Sequence, residues 1–253
     1  MITSKSNELI KHINSLHLKK NRDEANEFVV EGIKMVKEAI DSEFEISQIV
    51  ICEDIFKEEI DTKNNKVEYV SEPVFKFISD TTSPQGILAV LKKKNNVLEI
   101  KEDIIFALDG VQDPGNLGTI IRTLDCAGIN TLLLSPECAD SYNSKVIRST
   151  MGAIFRVNIF DGLDLYTKLT KLKNQGYNII VTALDADYNL FDYGFEGKNI
   201  VVIGNESKGV SKEIQELANV KIKIPMIGKT ESLNAAVATS IILYEVYREK
   251  LKK

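Results

Sequence analysis

Three polar segments hold the side chains of this sequence that are best suited to chemistry, and each follows a short apolar run. They span residues 108–123, 202–211 and 224–234. Together they offer two side-chain amides, a guanidinium, a carboxylate and a hydroxyl, which are carried by Asn116, Arg122, Glu206, Ser232 and Asn234. Such groups can bind phosphate, hold a polar ligand or assist the movement of a proton.

The first segment has the composition of a strand end, a turn and a helix start. Asp-Pro-Gly-Asn at residues 113–116 is turn chemistry, and Asn116 is expected to cap the helix. Arg122 lies about 140° around that helix from the apolar Leu117, so it is expected to point away from the buried face. A solvated arginine is the ordinary interpretation of this pattern. The chain nevertheless has five arginines against 27 lysines, and three of the five are Arg122, Arg148 and Arg156. This usage favours bidentate binding of phosphate or carboxylate.

The second and third segments resemble ligand-binding loops without matching a nucleotide fingerprint. Gly204 and Gly209 have the spacing of a phosphate-binding loop, but the Lys-Ser/Thr pair is missing, and the sequence has no GxGxxG. A simple glycine-rich turn with an exposed Glu206 is the alternative. The third segment leads into a long terminal helix. Its expected core positions are Leu233, Ala236, Val237, Ser240, Ile241, Tyr244 and Tyr247, with Asn234 as the polar exception.

Length and composition limit the possible classes of protein. The 253 residues are 43% hydrophobic and carry a net charge of -5, which argues against nonspecific binding of nucleic acid by the whole surface. No apolar run approaches the roughly 20 residues that cross a bilayer, so neither a membrane partner nor a targeting segment is predicted. Three dispersed cysteines and two N-terminal histidines, His12 and His17, make structural disulfides, a zinc site and histidine catalysis poor fits, and no metal is expected.

The surrounding pattern predicts an α/β fold with two domains. Residues 1–94 read as a small α/β unit that begins with a basic helix, and residues 95–102 read as a polar linker. Residues 103–253 alternate strands with helices, which favours a mostly parallel sheet. The strands predicted in this second domain lie at residues 104–108, 131–134, 177–181, 199–203 and 220–224. Because the carboxyl ends of parallel strands share one edge, the three polar segments are expected to form a pocket there.

In these three segments, and in residues 4–32, the sequence resembles the SpoU (TrmH-like) branch of the SPOUT RNA methyltransferases. The resemblance covers essentially the whole chain. It implies a C-terminal domain with a trefoil knot and an N-terminal domain that binds the RNA substrate. It also implies a homodimer, S-adenosylmethionine as cofactor, and active sites completed across the subunit interface.

The resemblance assigns roles to particular residues. Those expected to contact the cofactor are Thr182, Ala183, Leu184, Gly204, Ile224, Met226, Leu233 and Asn234. Those expected to serve catalysis are Asn116, Arg122, Glu206, Ser232 and Asn234. The RNA is expected to contact Lys19, Lys20, Arg22 and Arg148, the first three of which lie in the basic N-terminal segment.

The reaction implied is methyl transfer to a ribose 2'-hydroxyl of RNA in the cytoplasm. DNA is not expected as a substrate, because it lacks that hydroxyl. The N-terminal module favours ribosomal RNA, with transfer RNA as the alternative. A noncatalytic RNA-binding or ribosome-assembly protein is the competing interpretation, although it gives no reason to keep Arg122, Glu206, Ser232 and Asn234 together. A nucleotide-binding Rossmann enzyme is disfavoured by the missing fingerprints.

Overall fold

The structure is a computed structural model that describes residues 1–94, 100, 102–230 and 232–251. Up to residue 94 the elements are α1 (Glu8–Ser15), α2 (Lys19–Ala25), β1 (Glu27–Glu31), α3 (Ile33–Ile40), β2 (Ile46–Ile51), β3 (Val67–Tyr69), α4 (Glu72–Ile78) and β4 (Ile87–Lys92). From residue 102 they are β5 (Ile104–Asp109), α5 (Pro114–Cys126), β6 (Thr131–Leu134), α6 (Ser144–Thr150), β7 (Asn158–Phe160), α7 (Leu165–Asn174), β8 (Asn178–Thr182), β9 (Tyr188–Asn189), β10 (Asn199–Gly204), α8 (Lys212–Leu217), β11 (Val220–Lys223) and α9 (Ala235–Leu251).

The chain forms two compact units. The first contains residues 1–94 and 142–156, and the second contains the described residues from 100 to 141 and from 157 onwards. The predicted second domain, 103–253, therefore does not coincide with one unit. The predicted linker, 95–102, falls outside the described residues except for Ile100 and Glu102.

The first unit is built on a four-stranded sheet in the order β1-β4-β2-β3. Strand β4 pairs antiparallel with β1 and β2, while β2 and β3 are parallel. Helices α1 and α4 bury apolar side chains in one cluster with the sheet, among them Ile10, Ile13, Phe75 and Ile78. The basic N-terminal segment forms two helices rather than the one predicted, because the helical conformation ends at Ser15 and begins again at Lys19.

Apolar side chains explain why residues 142–156 belong to the first unit. Val146 and Ile147 of α6 are buried, and α6 packs on β1. The ring of Tyr142 lies 4.6 Å from that of Phe28, and the ring of Phe155 lies 5.4 Å from that of Phe44. Aromatic contacts of this kind stabilise packing beyond the area they bury.

The second unit is built on a seven-stranded sheet in the order β7-β6-β5-β10-β8-β11-β9, and all its described pairings are parallel. This agrees with the predicted α/β class. The central strands are buried along almost their whole length, as expected for a parallel sheet covered on both faces. Strands β7 and β9, which have three and two residues, were not predicted from the sequence. No helix among the described residues has both the length and the apolar character that a bilayer crossing requires.

Candidate active site

The first polar loop follows β5 and enters α5. Gly110 turns the chain with φ of 73°, and the hydroxyl oxygen of Ser135 accepts its N–H at 3.0 Å. The helix then begins at Pro114, and the Asp113 carboxylate caps it by accepting the N–H of Asn116 at 2.8 Å. The predicted cap at Asn116 is therefore wrong by three residues. Because Asn116 lies in the first turn instead, its side chain can bond to other loops.

Asn116 joins the three polar segments through its side-chain amide. Its Nδ2 donates to Oε1 of Glu206 at 2.8 Å, and its Oδ1 accepts from Nδ2 of Asn234 at 2.9 Å. Asn234 caps α9, because its Oδ1 accepts the N–H groups of Ala236 and Val237 at 2.9 and 3.3 Å. The fold thus brings together three of the five predicted catalytic residues, which are up to 118 positions apart.

The direction of this hydrogen-bond chain follows from the cap. The oxygen of Asn234 is occupied by backbone N–H groups, so its NH₂ must face Asn116. Asn116 then accepts with its oxygen and donates with its NH₂, which requires Glu206 to act as an acceptor. Among the described residues, the other carboxylate oxygen of Glu206 makes no hydrogen bond.

The second loop closes tightly after β10. Backbone hydrogen bonds of 3.0 and 2.9 Å join Asn205 and Gly209 in both directions. A Cβ at Gly204 would lie 2.1 Å from the carbonyl carbon of Gly209 and 2.1 Å from the nitrogen of Val210. Gly204 is therefore required by the close approach of two backbone segments. The carboxylate of Asp109 accepts the N–H of Ser211 at 2.7 Å and ties this loop to the end of β5.

A cleft of about 480 Å³ lies at the carboxyl ends of β8, β10 and β11. It contains seven of the eight predicted cofactor residues, which are Thr182, Ala183, Leu184, Gly204, Ile224, Met226 and Leu233, and also Glu206 and Ser232. Asn234, the eighth, lies between the lining residues Leu233 and Ala235. Leu184, Met226 and Leu233 are 68%, 39% and 39% exposed, so a ligand here would cover apolar surface. The volume and mixed lining suit a molecule with an apolar ring and several polar groups.

Arg122 occupies a different position from the other predicted catalytic residues. It is exposed on α5, as its helical position predicted, but it does not line the cleft. Its guanidinium makes no hydrogen bond or ion pair with any residue that the structure describes. A guanidinium without a protein partner can bind a phosphate or carboxylate in bidentate geometry.

The thiol nearest to the first loop is not a nucleophile. Burial raises the pKa of Cys138, and its Sγ donates to the carbonyl oxygen of Leu108 at 3.2 Å. A buried protonated thiol is inert and serves here to hold the end of β5. In the described parts of the chain, no group of three or more histidine, cysteine, aspartate or glutamate side chains could hold a metal ion.

The predicted RNA-binding residues lie in the first unit and differ in accessibility. Lys19 and Lys20 are exposed on α2, and Arg148 is half-exposed, with its Nη1 3.5 Å from Oδ2 of Asp80. Arg22 is only 4% exposed, and its Nη1 donates to the carbonyl oxygens of Leu16 and His17 at 2.7 and 2.8 Å. The Arg22 guanidinium is thus used to close the end of α1, and this burial argues against the RNA contact expected for it.

The fold and the position of the cleft are typical of a ligand-binding α/β protein. The second unit is a parallel α/β domain whose ligand cleft and polar side chains lie at the carboxyl edge of the sheet, and a second small α/β unit accompanies it. The chain belongs to the SpoU rRNA Methylase family, whose profile matches residues 103–244. Residues 7–89 match the MRM3-like substrate binding domain.

The similarity to individual relatives extends over nearly the whole chain. The 23S rRNA (guanosine(2553)-2'-O)-methyltransferase RlmP of Bacillus subtilis is 32% identical over 97% of this chain and 98% of its own length. The structure of a putative RNA methyltransferase of the TrmH family from Porphyromonas gingivalis is 32% identical, covers 98% of this chain and 99% of its own, and superimposes with a TM-score of 0.87. The structure of an AdoMet-bound rRNA methyltransferase from Sinorhizobium meliloti is 29% identical and has a TM-score of 0.86. The match covers 98% of this chain and 97% of that protein.

Proposed function

We propose that this protein transfers a methyl group from S-adenosylmethionine to a ribose 2'-hydroxyl of ribosomal RNA. The observation that carries the proposal is the cleft at the sheet edge, whose rim holds the linked side chains of Asn116, Glu206 and Asn234. Membership of the SpoU family and the rRNA methyltransferases among its relatives support this reaction. The proposal includes action in the cytoplasm, where ribosomal RNA is available as substrate.

The residues of the cleft fit S-adenosylmethionine. When bound, the cofactor supplies an electrophilic methyl group on a sulfonium. Leu184, Met226 and Leu233 would cover its apolar ring, and Gly204 allows the tight backbone packing of the loop that forms the cleft wall. Holding the attacking hydroxyl in line with the methyl group can contribute several kcal/mol to catalysis.

Two charged residues are assigned roles toward the RNA substrate, Glu206 as a proton acceptor and Arg122 as a phosphate ligand. Glu206 lines the cleft and has a second carboxylate oxygen that bonds to no described residue, so this oxygen can accept the proton of the 2'-hydroxyl as the new C–O bond forms. Arg122, which lies outside the cleft, holds a phosphate of the target strand. Its guanidinium is a donor and is treated as permanently charged, so it is assigned no role as a base.

The RNA surface of the first unit would include Lys19, Lys20 and Arg148, all of which are accessible. Substitution of either lysine by alanine is expected to weaken RNA binding at every sequence tested and to reduce its salt dependence. Substitution of Arg22 is expected to act on stability instead.

The test of the reaction is incubation of ribosomal RNA and transfer RNA, separately, with the protein and labelled cofactor, followed by mapping of the modified nucleotide. We expect label at a 2'-oxygen in ribosomal RNA. Label only in transfer RNA would overturn the substrate assignment. Absence of cofactor binding by calorimetry at high micromolar concentration would favour a noncatalytic RNA-binding protein. Arg122→Lys tests the bidentate role, which is excluded if this variant retains the wild-type rate.

Helix α9 supports a homodimer. Its inner face buries residues such as Ile242, Leu243 and Val246. Val237 and Tyr244 lie on the opposite side and are 48% and 51% exposed, and Tyr247, at the edge between the two faces, is 38% exposed. A helix that is apolar on two sides is expected to be covered on both. We assign the outer face of α9 to contact with a second copy of the chain, in keeping with a SpoU dimer. The proposal also includes the trefoil knot of the family in residues 103–253.

Sedimentation velocity tests this dimer. We expect the wild type to sediment as a dimer and Tyr244→Asp or Val237→Asp to shift it toward the monomer. Leu18→Asp is the matched control, because Leu18 is 64% exposed in the first unit and should leave the dimer intact. A wild-type monomer at tens of micromolar would contradict the assignment.

A further inference from the structure

Asn205 lies in the second polar segment, and no sequence pattern assigns it a role. In the structure its Nδ2 donates to the carbonyl oxygen of Gly110 at 2.7 Å. Its Oδ1 accepts the N–H groups of Ser207 and Lys208 at 2.9 and 3.1 Å. One side chain therefore shapes the loop after β10 and joins that loop to the end of β5.

These contacts bear directly on Glu206. Its backbone lies between Asn205 and the two N–H groups that the Asn205 side chain holds, while its carboxylate reaches Asn116 at 2.8 Å. Besides the Asp109–Ser211 bond, two contacts therefore join the same two loops, one between Asn205 and Gly110 and one between Glu206 and Asn116. The first of these two contacts has no ionisable group and is half-buried, whereas the second is exposed and is the one assigned to chemistry.

We propose that Asn205 is a positioning residue that holds the Glu206 carboxylate against Asn116 for methyl transfer. The inference rests on the proposed function and adds a residue to it. Asn205 acts through Glu206, since its side-chain oxygen and one amide hydrogen are already used by the protein. Removing its side chain should therefore lower the rate of the chemical step much more than the affinity for cofactor.

The primary experiment measures the single-turnover rate of methyl transfer at saturating cofactor and RNA, together with the cofactor Kd by calorimetry. For Asn205→Ala, which removes three side-chain hydrogen bonds, we expect a rate loss of about tenfold or more and a change in Kd below about threefold. Asn219→Ala is the matched control. Asn219 Oδ1 also accepts a backbone N–H, that of Ile179 at 3.0 Å, but it does not line the cleft, and its rate should stay within about twofold of wild type.

A double-mutant cycle separates positioning from general weakening of the domain. If Asn205 acts through Glu206, then Asn205→Ala should lower the single-turnover rate by less than about threefold when Glu206 is already replaced by Gln. An equal loss of rate in the wild-type and Glu206→Gln backgrounds would overturn the inference. So would a large loss of cofactor affinity with an unchanged rate.

Asn205→Asp provides a second variant in case the alanine variant is poorly folded. Aspartate retains the acceptor for Ser207 and Lys208 but replaces the donor to Gly110 with an oxygen. We expect slow hydrogen exchange at these two amides to persist while the rate falls. A wild-type rate in Asn205→Asp would refute the role of the Gly110 contact. Failure of the proposed function is distinguishable, because the wild type itself would then transfer no methyl group.

Discussion

The substitution Asn116→Asp is the most direct test of the hydrogen-bond chain. It keeps the oxygen that accepts from Asn234 but replaces the NH₂ that donates to Glu206 with a second oxygen. Two carboxylate oxygens would then meet where a 2.8 Å hydrogen bond exists now. Because aspartate has the same shape as asparagine, packing of the first turn of α5 should not change.

The expected magnitude follows from the lost contact and the new repulsion. A hydrogen bond to a charged group contributes about 1.5–3 kcal/mol, and two like charges about 4 Å apart repel by about 1 kcal/mol in water. Glu206 is exposed and Asn116 is half-buried, so solvent screens both effects. About 2 kcal/mol in the transition state corresponds to a rate loss of roughly 30-fold.

The assay is single-turnover methyl transfer to ribosomal RNA, with cofactor affinity measured separately. Gln112→Glu is the control, because Gln112 is exposed in the same loop and the variant adds the same charge without facing Glu206. We expect its rate to remain within about threefold of wild type. A rate for Asn116→Asp within threefold of wild type would refute the assigned chain, and an equal loss in Gln112→Glu would show that charge alone is responsible.

Three further predictions concern local structure. Gly204→Ala should lower the Tm and abolish cofactor binding in calorimetry, because its Cβ would lie 2.1 Å from backbone atoms, whereas Gly194→Ala meets nothing within 4 Å and should do neither. Burial raises the pKa of Glu27, but hydrogen bonds from Lys92, Ser47 and His12 leave it below the ordinary 4.5. Its contribution to the free energy of unfolding should therefore be complete above about pH 4.5 and lost as pH falls through the lower folded-state pKa. Urea titrations should show that the free energy of unfolding falls less steeply with acidification in Glu27→Gln than in the wild type. Arg22→Met should reduce the free energy of unfolding by about 1–3 kcal/mol, because the buried carbonyl oxygen of Leu16 and the partly buried one of His17 lose their donor. Unchanged stability together with weakened RNA binding would support an RNA contact of Arg22 instead.

The parallel sheet and the position of the polar loops could be predicted from the sequence. Strands β5, β6 and β10 are continuous apolar runs, and each predicted bound agrees with the structure to within one residue. Their burial depends on local composition alone, which a sequence displays directly. The exposed position of Arg122 was predictable for the same reason, because helical spacing determines which way a side chain points.

Predictions failed where a second contact, distant in sequence, decided the outcome. Tyr244 and Tyr247 were expected in the core, but Ile242, Leu243 and Val246 face inward instead. The helix is apolar on both sides, so periodicity could not tell which side packs on the sheet. The short edge strands β7 and β9 likewise depend on pairing with a neighbour rather than on their own residues.

The α/β class, the loops that follow the strands and the residue types at the sheet edge all follow from the order of residues along the chain. The bonds among Asn116, Glu206 and Asn234, the link that Asn205 makes between two loops and the burial of Arg22 became apparent only from the folded chain. Local composition determines how a segment folds, because neighbouring residues interact at short range. Which polar atoms meet depends on strand order, and that order arises when distant segments pack together.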